Sequence, residues 1–200
     1  MKYRICPSPN IPWHVINKIP GWLHMDEAKW LFNISKSMPG SCVIVEVGSF
    51  CGRSSVAIAS GLPVNGWLHC VEPFTFHPPN DEISIEFNKL ISSGLSQQDY
   101  FIKVTSGYNV IIHKDKSPGV AKSFANDSVD MVFIDANHGK IEVWNDLSAW
   151  WPKIKRNGIM CGHDFSPWWM GVKRSVMKFT KLNRLEYRIV AGSIWVINKT

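Results

Sequence analysis

The segment VIVEVGSFCGRSS at residues 43–55 constrains the fold of this chain more than any other part of the sequence. A run of β-branched residues ends beside an acid, Glu46, and passes through Gly48 and Gly52 into hydroxyl residues that can open a helix. Glycine adopts dihedrals that side chains disfavour and lets the chain pass close to a ligand. We therefore predict a buried strand, a tight loop and a helix that hold a nucleotide-sized ligand. The Gly-x-x-x-Gly spacing predicts no dinucleotide pyrophosphate site, and a plain tight turn is the alternative.

A second segment, residues 130–165, repeats this order of elements. It reads as an apolar strand that ends in Asp135, an aromatic-rich helix, and another apolar strand that ends at His163 and Asp164. In an open α/β sheet, ligands bind at the carboxyl ends of parallel strands. Polar side chains at two such ends therefore indicate a functional site.

Taken in order, these segments and VEPF at residues 71–74 resemble the class I S-adenosylmethionine-dependent methyltransferases. They are most similar to the small-molecule O-methyltransferase branch (methyltransferase domain 24), which includes macrocin O-methyltransferase-like and cephalosporin hydroxylase-like proteins. The resemblance covers about residues 40–200. It implies transfer of a methyl group to an oxygen of a small molecule, such as a sugar or a secondary metabolite. A nucleic-acid methyltransferase and a non-catalytic nucleotide-binding module are the alternatives.

Apolar runs and turn signals alternate along the chain, which predicts an α/β fold with right-handed crossovers. We predict strands at residues 42–47, 67–72, 101–105, 130–135, 158–162, 187–190 and 193–198. We predict helices at residues 25–37, 53–61, 83–93, 109–116, 141–151 and 172–182. The resulting fold is a Rossmann-like, doubly wound, seven-stranded and mostly parallel sheet with a C-terminal antiparallel hairpin, in a single domain. Residues 1–40 form a Pro-rich segment, irregular up to residue 20, and a helix that packs on the methyltransferase domain at residues 41–200.

Composition agrees with a single reduced intracellular domain. The chain has 200 residues, 45% of them hydrophobic, which is enough for one sizeable core. Its five cysteines are odd in number and form no Cys-x-x-Cys pair, so we expect free thiols and a cytoplasmic location. Prolines interrupt the N-terminal segment, and no apolar run is long enough to cross a membrane, so we expect no membrane partner.

The net charge of +6 raises the question of a nucleic-acid partner. Lysine and arginine are scattered, however, and their densest run, at residues 173–188, has the spacing of a solvated helix face. We therefore expect a small-molecule methyl acceptor rather than nucleic acid, and a homodimer is left open.

The resemblance also implies a set of residues that bind S-adenosylmethionine. Glu46 would fix the glycine loop and approach the methionine ammonium, although a helix-capping role is the alternative. Glu72 lies about twenty residues after Gly52, where an acid can accept hydrogen bonds from both ribose hydroxyls. Arg53 is either a cofactor contact or a surface ion pair, and Ser106 either turns toward the adenine or forms a plain turn. The full predicted set is Glu46, Gly48, Ser49, Phe50, Gly52, Arg53, Ser54, Glu72, Ser106 and Asp135.

The acceptor side needs a group that deprotonates a hydroxyl. His138 is the candidate base, because histidine has an ordinary pKa of about 6.5. Asp135 and Asp164 are the other predicted catalytic residues. With His163 they could hold Mg²⁺ or another divalent cation, and the alternative is direct hydrogen bonding to substrate. We further expect His163, Trp168 and Trp169 to contact the acceptor.

Overall fold

The computed structural model describes residues 13–75 and 82–200. Part of the Pro-rich segment, with Cys6, falls on residues 1–12, and Pro78 and Pro79 of the predicted loop fall on residues 76–81. These predictions lie outside the described residues.

The described chain alternates strands and helices. The strands are β1 (Val43–Val47), β2 (Trp67–Val71), β3 (Val110–His113), β4 (Val129–Ile134), β5 (Ile154–Gly162), β6 (Arg188–Ala191) and β7 (Ile194–Asn198). The helices are α1 (Trp13–Ile16), α2 (Met25–Lys36), α3 (Arg53–Gly61), α4 (Glu82–Ser92), α5 (Gln97–Thr105), α6 (Ser117–Val120), α7 (Lys140–Trp150) and α8 (Met170–Asn183). Short 3₁₀ turns follow α6 and α7.

The seven strands form one sheet in the order β3-β2-β1-β4-β5-β7-β6. Strands β1 to β5 run parallel, whereas β7 is antiparallel to both β5 and β6. The predicted Rossmann-like fold and its C-terminal hairpin are therefore confirmed. The strand order changes direction at β1 and β4, and this places their carboxyl ends at the point where such sheets bind ligands.

The predicted third strand is wrong. Residues 101–105 belong to α5, and β3 lies at Val110–His113, where a helix was predicted. The side chain of Ser96 accepts a hydrogen bond from Asp99 N at 3.1 Å and caps α5, while Phe101 and Thr105 are buried one helical turn apart. The apolar and β-branched residues at 101–105 therefore lie on a helix. The N-terminal cap and the burial of residues four apart favour the helix more than β-propensity favours a strand.

Differences from the predictions also occur at α1 and at the start of β5. Residues 13–16, expected to be irregular, form the one-turn helix α1. Strand β5 begins at Ile154 rather than at Gly158, and its register against β4 shifts between Val129 and Met131. Asn157 has a φ of 65° within this irregularity, so the strand is continuous but kinked at this residue.

The core lies on both faces of the sheet. Adjacent residues such as Ile44 and Val45 point to opposite faces, into clusters built mainly by α1–α5 on one side and by α7 and α8 on the other. All four described cysteines are free and buried. Among the described residues, no helix is both long and apolar enough to cross a membrane.

Candidate active site

The carboxyl ends of four strands meet at one edge of the sheet. The backbone N–H of Gly48 donates to Val71 O at 3.0 Å, and the N–H of Asp135 donates to Val47 O at 2.8 Å. The N–H of His163 donates to Ile134 O at 3.0 Å. The sheet therefore brings the loops after β1, β4 and β5 into contact, as the sequence predicts.

Gly48 marks the closest approach between two of these loops. Its φ is +84°, and a Cβ atom built there would lie 2.2 Å from the carbonyl oxygen of Asp135 and 2.7 Å from Cα of Ala136. Glycine is required because the loop after β1 touches the backbone after β4.

Glu46 is completely buried beneath the loop after β1. Its Oε2 accepts hydrogen bonds from the hydroxyls of Ser49, at 2.7 Å, and Ser55, and from the Cys70 thiol at 3.4 Å. Its Oε1 has no hydrogen-bond partner among the described residues. Burial raises the pKa of Glu46, and the serine hydroxyls around it act in the opposite direction.

Glu72 holds the same loop from the end of β2. Its Oε2 accepts from the backbone N–H groups of Ser49, at 3.1 Å, and Phe50, at 3.0 Å, and its Oε1 accepts from Phe74 N at 2.9 Å. Burial raises the pKa of Glu72, whereas these three N–H groups lower it. Phe50 and Phe74 have positive φ angles of 44° and 56°. Strained non-glycine residues of this kind cluster at functional sites, which favours a ligand site here.

Aromatic rings and Arg53 flank the loop. The Phe50 ring lies 5.3 Å from Trp22 and 5.1 Å from Phe87, measured between centroids. The Arg53 guanidinium donates to Gly21 O at 2.9 Å and to the Asn17 side chain at 3.0 Å. Arg53 thus fastens residues 17–21 to the start of α3 instead of forming a surface ion pair. The buried Ser54 follows it in the first turn of α3.

Ser106 is the predicted cofactor residue that the fold moves away from the site. The prediction relied on a strand at residues 101–105, but these residues are helical, and Ser106 precedes β3. It therefore lies toward the amino ends of the parallel strands, opposite the ligand edge. The geometric reason for assigning Ser106 to the adenine is removed.

Carboxylates and imidazoles gather after β4 and β5. His138 Nε2 lies 2.7 Å from Asp164 Oδ2 and 4.0 Å from Asp135 Oδ1. His163 Nδ1 lies 3.3 Å from Asp164 Oδ2 and 3.6 Å from Asp135 Oδ1. The fold thus brings these four predicted site residues together. Asp164 also has a φ of 62°, a further strained residue at this edge.

One ligand atom each from Asp135, His138 and Asp164 lies within 4.8 Å of the other two. This group differs from the predicted metal set, because His138 takes the position expected for His163. The ring of His163 is held on its other side, where Nε2 lies 2.9 Å from Oε2 of Glu27. His163 therefore stands behind the carboxylates, with only 5% of its side chain exposed.

Glu27 is the site residue that sequence reasoning missed. Besides His163, its carboxylate accepts hydrogen bonds from His24 N at 2.9 Å and from Ser193 N at 2.8 Å. Burial would raise the pKa of Glu27, but His163 and these N–H groups lower it to about 2. The available signal was a glutamate in the third position of a helix, which is typical of an ordinary capping box.

The electrostatics of the cluster favour charged forms. Burial alone would lower the pKa of His163, but Asp135, Asp164 and Glu27 raise it well above the ordinary value. Burial would raise the pKa of Asp164, but His138 and His163 lower it well below the ordinary value. The carboxylates of Asp135, Asp164 and Glu27 therefore surround the His163 imidazole and stabilise its charged form.

The two tryptophans after β5 have different environments. The Trp169 indole stacks on the His138 imidazole, with a centroid distance of 4.2 Å and an interplanar angle of 26°. Trp168 is 88% exposed. The Trp169 ring therefore fixes the His138 imidazole, whereas the neighbouring Trp168 ring faces solvent.

A family model described as a methyltransferase domain matches residues 45–165. The match covers more than half of the chain and includes both the loop after β1 and the cluster after β4 and β5. This chain therefore belongs to the methyltransferase domain family.

Solved structures with the same fold include several methyltransferases. PaMTH1 from Podospora anserina, solved with S-adenosylhomocysteine, is 16% identical with a TM-score of 0.64, covering 94% of this chain and 86% of that one. The O-methyltransferase NovP is 14% identical with a TM-score of 0.64, covering 94% and 88%. The TDP-rhamnose 3'-O-methyltransferase CalS11 of calicheamicin biosynthesis is 18% identical with a TM-score of 0.57, covering 96% and 87%. No curated protein sequence matches this chain significantly.

Proposed function

We propose that this chain is an S-adenosylmethionine-dependent methyltransferase that methylates an oxygen of a small molecule. The proposal depends on one observation. In this chain of the methyltransferase family, two sites lie side by side at one edge of the sheet. The loop held by Glu46 and Glu72 suits a cofactor, and the adjoining group of Asp135, His138 and Asp164 suits the activation of a hydroxyl.

The cofactor loop fits a bound S-adenosylmethionine. The buried Oε1 of Glu46 has no hydrogen-bond partner among the residues described, and a cationic ammonium would satisfy it. Glu72 has spare acceptor capacity, because a carboxylate offers about four lone-pair sites and three backbone N–H groups occupy it. One ribose hydroxyl can take the remaining site. The bound cofactor supplies an activated methyl group, and the chain has to align it and exclude water.

The acceptor hydroxyl has to lose a proton during transfer. Asp164, held ionised by its two histidine neighbours, lies 2.7 Å from His138 Nε2 without the alignment of a hydrogen bond, and the stacked Trp169 ring fixes the plane of the imidazole. A histidine oriented by a carboxylate acts as a general base, as in other acid–base sites. Because Nε2 faces Asp164, we propose that Nδ1 of His138 takes the proton from the acceptor hydroxyl.

A divalent cation is the second candidate for this step, and the residues fit one. Asp135, His138 and Asp164 offer two carboxylates and an imidazole within 4.8 Å of one another. The imidazole favours Mn²⁺ or a similar ion over Mg²⁺. A bound cation would lower the pKa of a coordinated hydroxyl.

Two experiments test the proposal. Calorimetry should detect S-adenosylhomocysteine binding by the purified chain at micromolar affinity, and the absence of binding would refute the cofactor assignment. Transfer from tritiated S-adenosylmethionine should then be measured with hydroxylated acceptors. CalS11, a structural neighbour, is named as acting on TDP-rhamnose, which makes TDP-rhamnose a first acceptor to try.

Chelation separates the two routes of deprotonation. Exhaustive EDTA treatment should abolish transfer, with recovery on adding Mn²⁺, if a cation is required. Full activity after chelation would show that His138 removes the proton without a cation.

A cytoplasmic location and a homodimer stay predictions.

A further inference from the structure

Glu27 joins helix α2 to the acceptor site through a contact with His163, 136 residues further along the chain. It is 1% exposed, and its two carboxylate oxygens contact groups from three parts of the fold. Oε2 accepts from His24 N at the start of α2 and contacts His163 Nε2 after β5, each at 2.9 Å. Oε1 accepts from Ser193, in the turn between β6 and β7, through its N–H at 2.8 Å and its hydroxyl at 3.1 Å.

The turn between β6 and β7 closes tightly over this carboxylate. A Cβ atom at Gly192 would lie 2.3 Å from Oε1 of Glu27, so the turn leaves room for the carboxylate and little else. The Ser193 hydroxyl also accepts a hydrogen bond from Asp164 N at 3.1 Å. The Glu27 carboxylate is therefore immobilised from two directions and linked to the backbone of Asp164.

His163 passes this constraint to the reacting groups. With Nε2 held by Glu27, the opposite ring nitrogen Nδ1 faces Asp164 Oδ2 at 3.3 Å and Asp135 Oδ1 at 3.6 Å. The imidazole ring is rigid and is attached to the chain at Cγ, so holding Nε2 as well fixes where Nδ1 points. The same Asp164 oxygen lies 2.7 Å from His138.

We propose that Glu27 is a positioning residue for methyl transfer, which acts through His163 to hold the carboxylates of Asp135 and Asp164 in their working geometry. The inference rests on the proposed function. Glu27 itself does not touch the reacting atoms. Its removal should lower turnover while the cofactor site, built from the loop after β1, keeps its affinity.

The test compares Glu27→Gln with Asp130→Asn. Asp130 is a matched control, because it is also a buried acid that links elements, accepting from Val43 N and Lys155 Nζ, both at 2.8 Å. It lies near the start of β4, at the opposite end of the sheet. Both variants exchange an acid for its amide, so they share the general cost of losing a buried charge.

Kinetics give the first readout. Glu27→Gln should lower kcat by about 10- to 100-fold, the usual effect of removing a residue that orients a ligand or base, with the KM for S-adenosylmethionine changed by less than about twofold. Asp130→Asn should leave both constants near wild type. Rates are expressed per site that binds S-adenosylhomocysteine, so unfolded protein does not count.

A double-mutant cycle and crystal structures give the second and third readouts. If Glu27 acts through His163, Glu27→Gln combined with His163→Gln should have the same kcat as His163→Gln alone. In the crystal structure of Glu27→Gln, the distance from His163 Nδ1 to Asp164 Oδ2 should exceed its present 3.3 Å by about 1 Å or more.

The outcomes are distinct. Glu27→Gln with wild-type kcat and reduced unfolding stability, like the control, would make Glu27 a structural residue only and overturn the inference. Additive losses in the cycle would also overturn it. If the wild-type chain binds S-adenosylhomocysteine but transfers no methyl group, the proposed function fails. The crystal structures then decide alone, because an unmoved His163 overturns the positioning role and a displaced one supports it.

Discussion

Replacing Gly48 by alanine should damage this protein through contact between two backbones. Gly48 has a φ of +84°, and its Cβ position lies 2.2 Å from the carbonyl oxygen of Asp135. Real Cβ atoms do not approach a carbonyl oxygen so closely, so the loop after β1 must move away from the loop after β4. Two costs therefore add: a strained dihedral, and the displacement of a neighbouring loop.

Gly107 separates the two costs. Its φ is +90°, nearly the same as that of Gly48, but apart from its two chain neighbours no described residue lies within 4 Å of its Cβ position. Gly107→Ala should therefore show the dihedral term alone, about 1 kcal/mol. Gly48→Ala should carry this term plus about 1 to 3 kcal/mol for forced displacement, a total of about 2 to 4 kcal/mol.

Urea unfolding at neutral pH measures both variants. With a denaturant slope of about 2 kcal/mol per molar, the midpoint should fall by about 0.5 M for Gly107→Ala and by about 1 to 2 M for Gly48→Ala. Calorimetry on the folded proteins should show S-adenosylhomocysteine bound about tenfold more weakly by Gly48→Ala and unchanged by Gly107→Ala. Equal midpoints for the two variants would refute the backbone contact as the reason for glycine at residue 48.

Three further predictions concern single side chains. Glu72→Gln should weaken S-adenosylhomocysteine binding by about 1 to 3 kcal/mol in calorimetry, because it removes a charged acceptor, and unchanged affinity in the folded variant would exclude the ribose contact. His138→Gln should lower kcat by about 10² to 10⁴ while binding of S-adenosylhomocysteine persists, and near-normal turnover would show that another group takes the proton. Burial, opposed by a hydrogen bond from Ser117, raises the pKa of Asp146 from 3.8 to about 6, so the folded state binds more protons than the unfolded state between these values. Relative to wild type, Asp146→Asn should therefore gain stability as pH rises from 4 to 7, reaching an advantage of roughly 1 to 3 kcal/mol at pH 7 that is absent at pH 4; parallel stability curves for the two proteins would contradict the buried ionisation.

The sequence was sufficient for most of the fold because its strands carry their own signals. The strands β1, β4 and β5 are apolar runs that end in polar residues, and the turn at Gly192 can only join an antiparallel pair. The exchange of strand and helix around residue 105 had a different cause. Both α5 and β3 contain β-branched residues, and the capping pair of Ser96 and Asp99 was the local signal that distinguishes them.

The candidate site was predictable where its residues follow strand ends. Asp135 and His163 each follow a parallel strand, and neighbouring parallel strands bring such residues together whatever the loops do. The roles within the cluster were less accessible. Whether His138 or His163 faces the Asp135 and Asp164 carboxylates as a third ligand depends on what holds each ring from behind, and no spacing along the chain contains that information.

Glu27 shows why. Its position three residues after His24 is fully explained by helix capping, and His24 N does donate to it at 2.9 Å. The same carboxylate reaches His163, 136 residues further along the chain, because α2 packs beside the turn that joins β6 and β7. A local pattern with a complete local explanation gives no reason to look for a distant partner. Burial is the property that distinguishes the two cases: a capping glutamate on a surface helix stays solvated, whereas Glu27, buried among Ser193 and His163, needs every hydrogen bond it makes.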